Sequence, residues 1–341
     1  MPLVGERLGY RPALDGMRAV AITLVLGYHV LGRPVNGWLG VDLFFVLSGF
    51  LITTLLVQEH EETGRVRLQA FWARRARRLL PALFVLLIVY SVATTTAGTF
   101  EPLAVLGGVG YFTNLLIGLG PGNDLGHLWS LAQEEQFYLL WPLVLFVALK
   151  GRRRAAMLLL LALIGGSQLQ GLRHAGDPAD SGRVLFMPDT RGLPILVGCL
   201  VALAAAEWPR LVRIARSLSP FTLIIVASFA AVGGGVGLFG GGLLVFSVAS
   251  ALLISACTQS GHIAAILGVP PIAYLGRISY GVYLWHMPLI LAFGTPMRGS
   301  TPELAAAATT ILVAAGSYRF VEQPLRRRAP MRTAVVLPQP A

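Results

Sequence analysis

Long runs of apolar residues recur along most of this chain. We locate ten of them, at residues 15–33, 38–57, 79–97, 130–149, 155–171, 192–206, 219–238, 241–257, 278–294 and 303–320. A helix needs about 20 predominantly apolar residues to cross the hydrocarbon core of a bilayer, and most of these runs approach that length. The pattern predicts an all-α, polytopic membrane protein with about ten transmembrane helices.

The composition excludes the soluble classes. Of the 341 residues 55% are hydrophobic and only 13% are charged, whereas soluble domains carry about 25% charged residues. The net charge of +11 comes from basic residues at the ends of apolar runs, which favours membrane orientation and lipid headgroups over nucleic acid. Cys199 and Cys257 lie inside apolar runs and are expected to be buried hydrophobes, and we expect no metal site.

The distribution of arginine predicts the topology. The segment 103–118 is apolar but short and rich in glycine, so it is expected to be a re-entrant or interfacial piece on the outer side. With both termini cytoplasmic, this arrangement leaves few basic residues outside, namely Arg33, Arg173, Arg183, Arg191 and Arg298. The positive-inside rule favours it. Because arginine supplies nearly all the basic residues, a bacterial plasma membrane is the expected location.

Two ionisable residues share one face of the first predicted helix. Arg18 and His29 are separated by eleven positions, about three helical turns, with the apolar stretch "AVAITLVLGY" between them. Ionisable groups at membrane depth usually face the bundle interior or a water-filled cavity. By the predicted topology Arg18 lies toward the cytoplasm and His29 toward the outer side.

Other polar residues are predicted to reach a similar depth. Asp42 begins the second apolar run, and "HLWSLAQEEQFYLLWP" brings in His127, Ser130, Glu134 and Glu135. "FWARRARRLLP" places four arginines at the inner mouth. Each signal has a structural alternative when taken singly: a helix-bonded histidine, an arginine partner for Asp42, or a headgroup anchor for the arginines. His286, in "YLWHMP", is interpreted as a packed structural histidine.

These segments resemble the integral-membrane acyltransferase-3 family, whose members O-acylate sugars and other hydroxyl-bearing molecules. The resemblance rests on "LDGMRAVAITLVLGYH", "GVDLFFVLSGFLIT", "FWARRARRLLPAL", "HLWSLAQEEQFYLLWP", "GRISYGVYLWHMPLI" and "YRFVEQPLRR", in that order. One departure is Gln133, at a position where a small apolar residue is expected. We therefore expect an integral-membrane acyltransferase domain over 1–328, without an appended soluble domain, and a disordered cytoplasmic tail over 329–341.

The resemblance implies a division of roles. Acyl-CoA would be the co-substrate, with no bound cofactor, and its phosphates would meet Arg74, Arg75 and Arg78. Arg18 would polarise the thioester or hold the pantetheine, unless it pairs with Asp15. His29 would be the general base or a transient acyl carrier. The remaining expected site residues are Glu134, Glu135 and Asp42, as supports of His29 or of the acceptor, and His127, Trp129 and Ser130 on the acceptor side.

The implied function is transfer of an acyl group, most simply acetyl, from cytoplasmic acyl-CoA to a hydroxyl on the outer side. The acceptor stays open between a cell-envelope polysaccharide, a glycolipid and a secreted natural product. A transporter or flippase of a glycan, lipid or small metabolite is the alternative, since buried charges suit it equally well.

Overall fold

The computed structural model describes residues 8–120, 122–174, 180–293 and 301–327. Those residues form helices joined by short connections, and none of them is in a β-strand. The α-helices are α1 (Pro12–Leu31), α2 (Leu39–Thr63), α3 (Leu68–Ala97), α4 (Pro102–Gly110), α5 (Thr113–Leu119), α6 (Trp129–Ala148), α7 (Arg153–His174), α8 (Ser181–Phe186), α9 (Pro188–Arg191), α10 (Leu193–Glu207), α11 (Arg210–Ala231), α12 (Gly242–Cys257), α13 (His262–Leu267), α14 (Pro270–Ala292), α15 (Thr301–Ser317) and α16 (Gln323–Arg327).

Seven helical stretches are long and apolar enough to cross a membrane. They are Pro12–Leu31, Leu39–Thr63, Leu68–Ala97, Arg153–His174, Pro188–Glu207, Arg210–Ala231 and Thr301–Leu325. Helices α6 and α14 have the length, with 20 and 23 residues, but polar side chains lower their hydropathy, and α12 has only 16 residues. The all-helical membrane class is therefore confirmed, whereas the count of ten spans and the cytoplasmic termini stay predictions. The proposed tail 329–341 lies outside the described residues.

Several helix boundaries differ from the predicted apolar runs. Helix α11 begins at Arg210 rather than near 219 and ends at Ala231 rather than near 238. Helix α14 begins at Pro270, eight residues before the predicted start. The missed start of α11 carries three arginines, and the missed start of α14 contains two prolines and Arg277, so neither extends an apolar run. The segment 103–118 divides between α4 and α5, neither of which is long enough to span a bilayer.

The orientation of the helices follows from the residues that pair across them. Trp72 and Arg75 of α3 contact Tyr138 and Glu135 of α6, which makes α3 and α6 antiparallel. Ser48 and Thr53 of α2 pair with Glu134 and Trp141 of α6, which makes these two helices parallel. The start of α2 lies against the second half of α1, where Gly40 meets Ala21, and His127 before α6 bonds to Leu284 late in α14. Helices α1, α3 and α14 therefore begin at the end of the bundle where α2 and α6 finish. We call this the basic end, because Arg65, Arg67, Arg74, Arg77 and Arg153 lie there.

Close backbone approaches at glycine join the central helices. A Cβ atom on Gly276 of α14 would lie 1.7 Å from the carbonyl oxygen of Asp15 in α1. The same holds between α2 and α10. A Cβ atom on Gly49 of α2 would lie 2.1 Å from the Ile195 oxygen, and one on Gly198 of α10 would lie 2.2 Å from the Val46 oxygen. Small residues at such contacts allow membrane helices to gain van der Waals packing at short range. The α1–α14 and α2–α10 pairs hence hold the interior of the bundle together.

Replacing Gly276 with Ala should push α1 and α14 apart, because the new methyl group would overlap backbone that cannot rotate away. We expect a lower melting temperature of the detergent-purified protein and a lower folded yield. The matched control is Gly165→Ala on α7, where a Cβ meets nothing within 4 Å. Equal melting temperatures for the two variants would contradict the close approach.

Candidate functional site

A cavity of about 100 Å³ lies between α1, α2, α3, α6 and α14. Its polar lining combines basic, acidic and hydroxyl side chains, namely Arg18, Ser48, Arg75, Arg78, Ser130, Glu134, Tyr138, Ser279, Tyr280 and Tyr283. Phe44, Phe45, Leu79 and Leu131 supply apolar walls. We call it the central cavity. It gathers three of the four predicted donor-binding arginines with one predicted carboxylate.

The arginines of the central cavity come from two helices that start at the basic end. Arg75 and Arg78 are one turn apart on α3, so their side chains share a face. The Arg75 guanidinium lies 3.3 Å from the centroid of the Tyr138 ring and donates to Glu135 over 3.0 Å. Arg18 of α1 forms a 3.3 Å ion pair with Asp15 and lines the cavity as well. The ion pair with Asp15, given above as the alternative for Arg18, is therefore present, and the role of Arg18 toward the donor stays a prediction.

The two adjacent carboxylates have different surroundings. Glu134 lines the central cavity and accepts hydrogen bonds from the Ser48 hydroxyl and, over 3.2 Å, from the Tyr138 hydroxyl. Glu135 turns to Arg75 and lines a second cavity between α3 and α6. Both carboxylates are thus held by residues other than His29.

Three histidines cluster near the end opposite the basic end. The ring centroids of His29 and His286 are 5.1 Å apart, and those of His127 and His286 are 5.4 Å apart. His29 comes from α1, His127 from the turn before α6, and His286 from α14. We call these residues the histidine cluster. His29 belongs to it and is not among the residues that line the central cavity.

Two proline residues free backbone carbonyls that then hold side chains of the site. Proline has no N–H, so the carbonyl four residues earlier loses its helical partner. Pro288 of α14 frees the Leu284 oxygen, which accepts a 3.1 Å hydrogen bond from His127 Nε2. Pro142 of α6 frees the Tyr138 oxygen, which accepts a 2.9 Å bond from the Trp72 indole.

Tyr283 and Ser130 connect the central cavity with the histidine cluster. Both line the cavity, and their hydroxyl oxygens are 2.6 Å apart. The Tyr283 hydroxyl also donates to the backbone oxygen of His127 over 2.6 Å, while the Tyr283 ring packs 5.3 Å from that of His286. The hydroxyl groups of Ser130 and Tyr283 therefore lie between the central cavity and the histidine cluster.

Asp42 lies in a different place from the central cavity. Its carboxylate accepts a 2.9 Å hydrogen bond from Arg191, and these side chains are 0% and 2% exposed. The Arg191 guanidinium lies 4.6 Å from the centre of the Trp38 ring and 5.3 Å from those of Trp129 and Phe239. The pair joins α2 to α9. This geometry favours the arginine-partner alternative for Asp42 and makes Trp129 part of its packing.

The structure thus brings some predicted residues together and separates others. Arg18, Arg75, Arg78, Glu134 and Ser130 meet at the central cavity, while His29 and His127 meet in the histidine cluster. Arg74 is exposed and does not line the cavity. Cys199 and Cys257 are buried, as predicted. In the part of the chain that the structure describes, no group of three or more His, Cys, Asp or Glu side chains is arranged to hold a metal ion.

Sequence reasoning missed Tyr283, and it interpreted His286 as structural. A signal was present: Ser279, Tyr283 and His286 follow helical spacing along one face of α14, directly opposite the Arg18 and His29 face of α1. Arg191 was assigned to an outer loop, and no local pattern marks it as the partner of Asp42.

An apolar helical bundle that encloses arginines, carboxylates and histidines defines an integral-membrane protein with a polar interior site. The family described as an acyltransferase domain matches residues 11–320. The chain therefore belongs to this family of acyltransferases, as its motifs predict. No solved structure gives a significant match.

Three curated O-acetyltransferases are similar to this chain over most of its length. It is 32% identical to the peptidoglycan O-acetyltransferase OatA of Listeria monocytogenes, covering 93% of this chain and 56% of the relative. It is 33% identical to the putative peptidoglycan O-acetyltransferase YrhL of Bacillus subtilis, covering 93% and 55%. It is 33% identical to the O-acetyltransferase OatA of Staphylococcus aureus, covering 94% and 58%. The chain thus spans little more than half the length of these relatives.

Replacing Asp42 with Ala should destabilise the fold strongly, because it leaves the Arg191 charge buried without its counter-ion. Removing one partner of a buried pair costs about 3–5 kcal/mol. We expect a large drop in melting temperature, whereas the double change Asp42→Leu with Arg191→Met should recover part of it. A melting temperature unchanged in Asp42→Ala would contradict this structural role.

Proposed function

We propose that this chain is a membrane-embedded O-acyltransferase that moves an acyl group, acetyl in the simplest case, from acyl-CoA to a hydroxyl of a cell-wall glycan. The observation that carries the proposal is the lining of the central cavity. There, three arginines from helices that begin at the basic end lie beside Glu134 and the Ser130–Tyr283 hydroxyl pair. The name of the Listeria relative supports peptidoglycan as the acceptor.

The arginines suit the donor. Guanidinium groups bind phosphate through paired, charge-assisted hydrogen bonds, and Arg75 and Arg78 stand one turn apart on a helix that begins at the basic end. We propose that this end faces the cytoplasm, where acyl-CoA is available. The diphosphate would lie at α3, and the pantetheine arm would extend past Arg18 into the cavity, between the apolar walls of Phe44 and Leu79.

The histidine cluster suits proton removal from the acceptor. The Nδ1 of His29 donates to the Val25 carbonyl over 2.9 Å, so in the neutral ring the lone pair lies on Nε2. A ring with this tautomer acts as a general base through Nε2. The acceptor hydroxyl would approach from the end opposite the basic end. Tyr283 and Ser130, which border both regions, would lie next to the reacting carbonyl group.

The reaction balances with these groups alone. The acceptor hydroxyl loses its proton to His29 as its oxygen bonds to the acyl carbonyl carbon. The carbon–sulfur bond of the thioester then breaks, CoA leaves as a thiolate, and the proton passes to that thiolate. The Ser130 hydroxyl, next to the reacting carbonyl, would stabilise the negative charge that develops on the carbonyl oxygen. Arg18, about three helical turns from His29 and nearer the basic end, would hold the pantetheine. Glu134, held by Ser48 and Tyr138, would bind a second hydroxyl of the acceptor.

The first test is direct. Purified protein in detergent, given acetyl-CoA and soluble peptidoglycan fragments, should release free CoA thiol and yield fragments heavier by one acetyl group by mass spectrometry. A transporter or flippase would release no thiol. His29→Ala should lower the rate by at least about a hundredfold, since general base catalysis contributes about 10²–10⁴-fold. Full activity in a folded His29→Ala protein would overturn the role of that residue.

The donor site has its own test. Arg75→Ala and Arg78→Ala should each raise the KM for acetyl-CoA about tenfold or more, because a hydrogen bond to a charged group contributes about 1.5–3 kcal/mol. The KM for the glycan should change little. Arg77→Ala is the matched control, since Arg77 is exposed on the same helix and does not line the cavity. Equal donor KM values in all three variants would contradict the assignment.

A further inference from the structure

His286 is the central ring of the histidine cluster. Its centroid lies 5.1 Å from that of His29 and 5.4 Å from that of His127. Two imidazoles joined by an N–H···N hydrogen bond of about 2.9 Å have centroids roughly 5 Å apart. The ring centres of both neighbours therefore lie at about that separation from His286, while His286 Nε2 makes no hydrogen bond in this arrangement.

Each of the three rings uses one nitrogen to donate to a backbone carbonyl. His29 Nδ1 donates to Val25 over 2.9 Å, His127 Nε2 to Leu284 over 3.1 Å, and His286 Nδ1 to Tyr283 over 2.6 Å. In the neutral rings the remaining nitrogens are hydrogen-bond acceptors.

Two of these acceptors lack a donor. His286 Nε2 and His127 Nδ1 are buried and have no hydrogen-bond partner, and His286 as a whole is 1% exposed. Leaving a buried polar atom unpaired costs about 1–3 kcal/mol, so an additional donor inside the cluster would be bound favourably. A neighbouring imidazole that gains a proton would be such a donor.

We propose that His286 is a positioning residue whose Nε2 accepts a hydrogen bond from the N–H that His29 gains when it takes the proton of the acceptor hydroxyl. This inference rests on the proposed function. Once the hydroxyl oxygen has become the ester oxygen, the new N–H of the His29 imidazolium needs another acceptor, and His286 Nε2 provides it. The proton stays in the cluster until the CoA thiolate takes it, so no further reactant is needed. His127, held by the carbonyl that Pro288 frees, keeps the His286 ring in place.

Other ionisable groups surround the cluster. Tyr28 packs edge-on against His29 with centroids 5.1 Å apart, and Tyr283 packs 5.3 Å from His286. From the neighbouring helices, the charges of Glu134 and Arg191 act on Tyr283. If His286 were purely structural, it would only fill the space between these neighbouring rings. Substitutions at position 286 separate this packing role from the proposed role as an acceptor.

Asn and Gln test the two nitrogens of His286 separately. Asparagine retains a donor near Nδ1 for the Tyr283 carbonyl but removes the acceptor at Nε2, whereas glutamine places an amide oxygen near Nε2. We expect His286→Asn to lower kcat about tenfold or more with both KM values unchanged, and His286→Gln to recover most of it. His262→Asn, at an exposed histidine on α13, is the control and should behave as wild type. Equal losses in the Asn and Gln variants, together with lower melting temperatures, would overturn the proposal.

A second measurement does not need turnover. Protein labelled with ¹⁵N-histidine contains six histidines, which single substitutions assign. As the pH is lowered and one proton enters the cluster, the ¹⁵N signals of the His29 and His286 imidazoles should shift together. Titration of His29 with His286 unchanged would overturn the proposal even in a protein that transfers acyl groups. Joint titration in a protein without transfer would count against the proposed function alone.

Discussion

The close approach of α1 and α14 at Gly276 determines where the candidate site lies. In a bilayer the backbone must satisfy its own hydrogen bonds, so helices are the available elements, and packing between them depends on how near they can come. Because α1 and α14 run parallel with their backbones in contact, the Arg18–His29 face meets the Ser279–Tyr283–His286 face along its whole length. The polar faces of α1 and α14 together form one polar interior.

That interior has two compartments with different chemistry. Nearer the basic end, arginines and Glu134 surround the central cavity, and nearer the other end three imidazoles pack together. Tyr283 and Ser130 lie between them and belong to both. A charged donor and a hydroxyl acceptor that enter from opposite ends would meet at this boundary, which is the arrangement that acyl transfer across a membrane requires.

Much of this arrangement follows from local sequence. Apolar runs locate the long helices, and the spacing of Arg18 and His29 predicts that these two side chains share an inward face. Arg75 and Arg78 are expected at the site from the family resemblance, which also includes the exposed Arg74. Helix starts are predicted less well, since α11 begins with a charged turn and α14 begins with two prolines, and both look like loops in the sequence. The Asp42–Arg191 pair joins residues 149 positions apart, and Arg191 ends a helix of four residues. Only the packing of α2 against α9 and α10 brings that charge into the interior, so no local pattern predicts it.

Pro288 shows how an irregular helix can serve the residues around it. Alanine at this position would normally be regarded as repairing α14, because it restores a backbone N–H. Here that N–H would compete with His127 for the Leu284 carbonyl and release a ring of the cluster. A regular α14 and a firmly held His127 ring are thus incompatible at Pro288. An engineered variant with a more regular helix would hold the His127 ring less firmly.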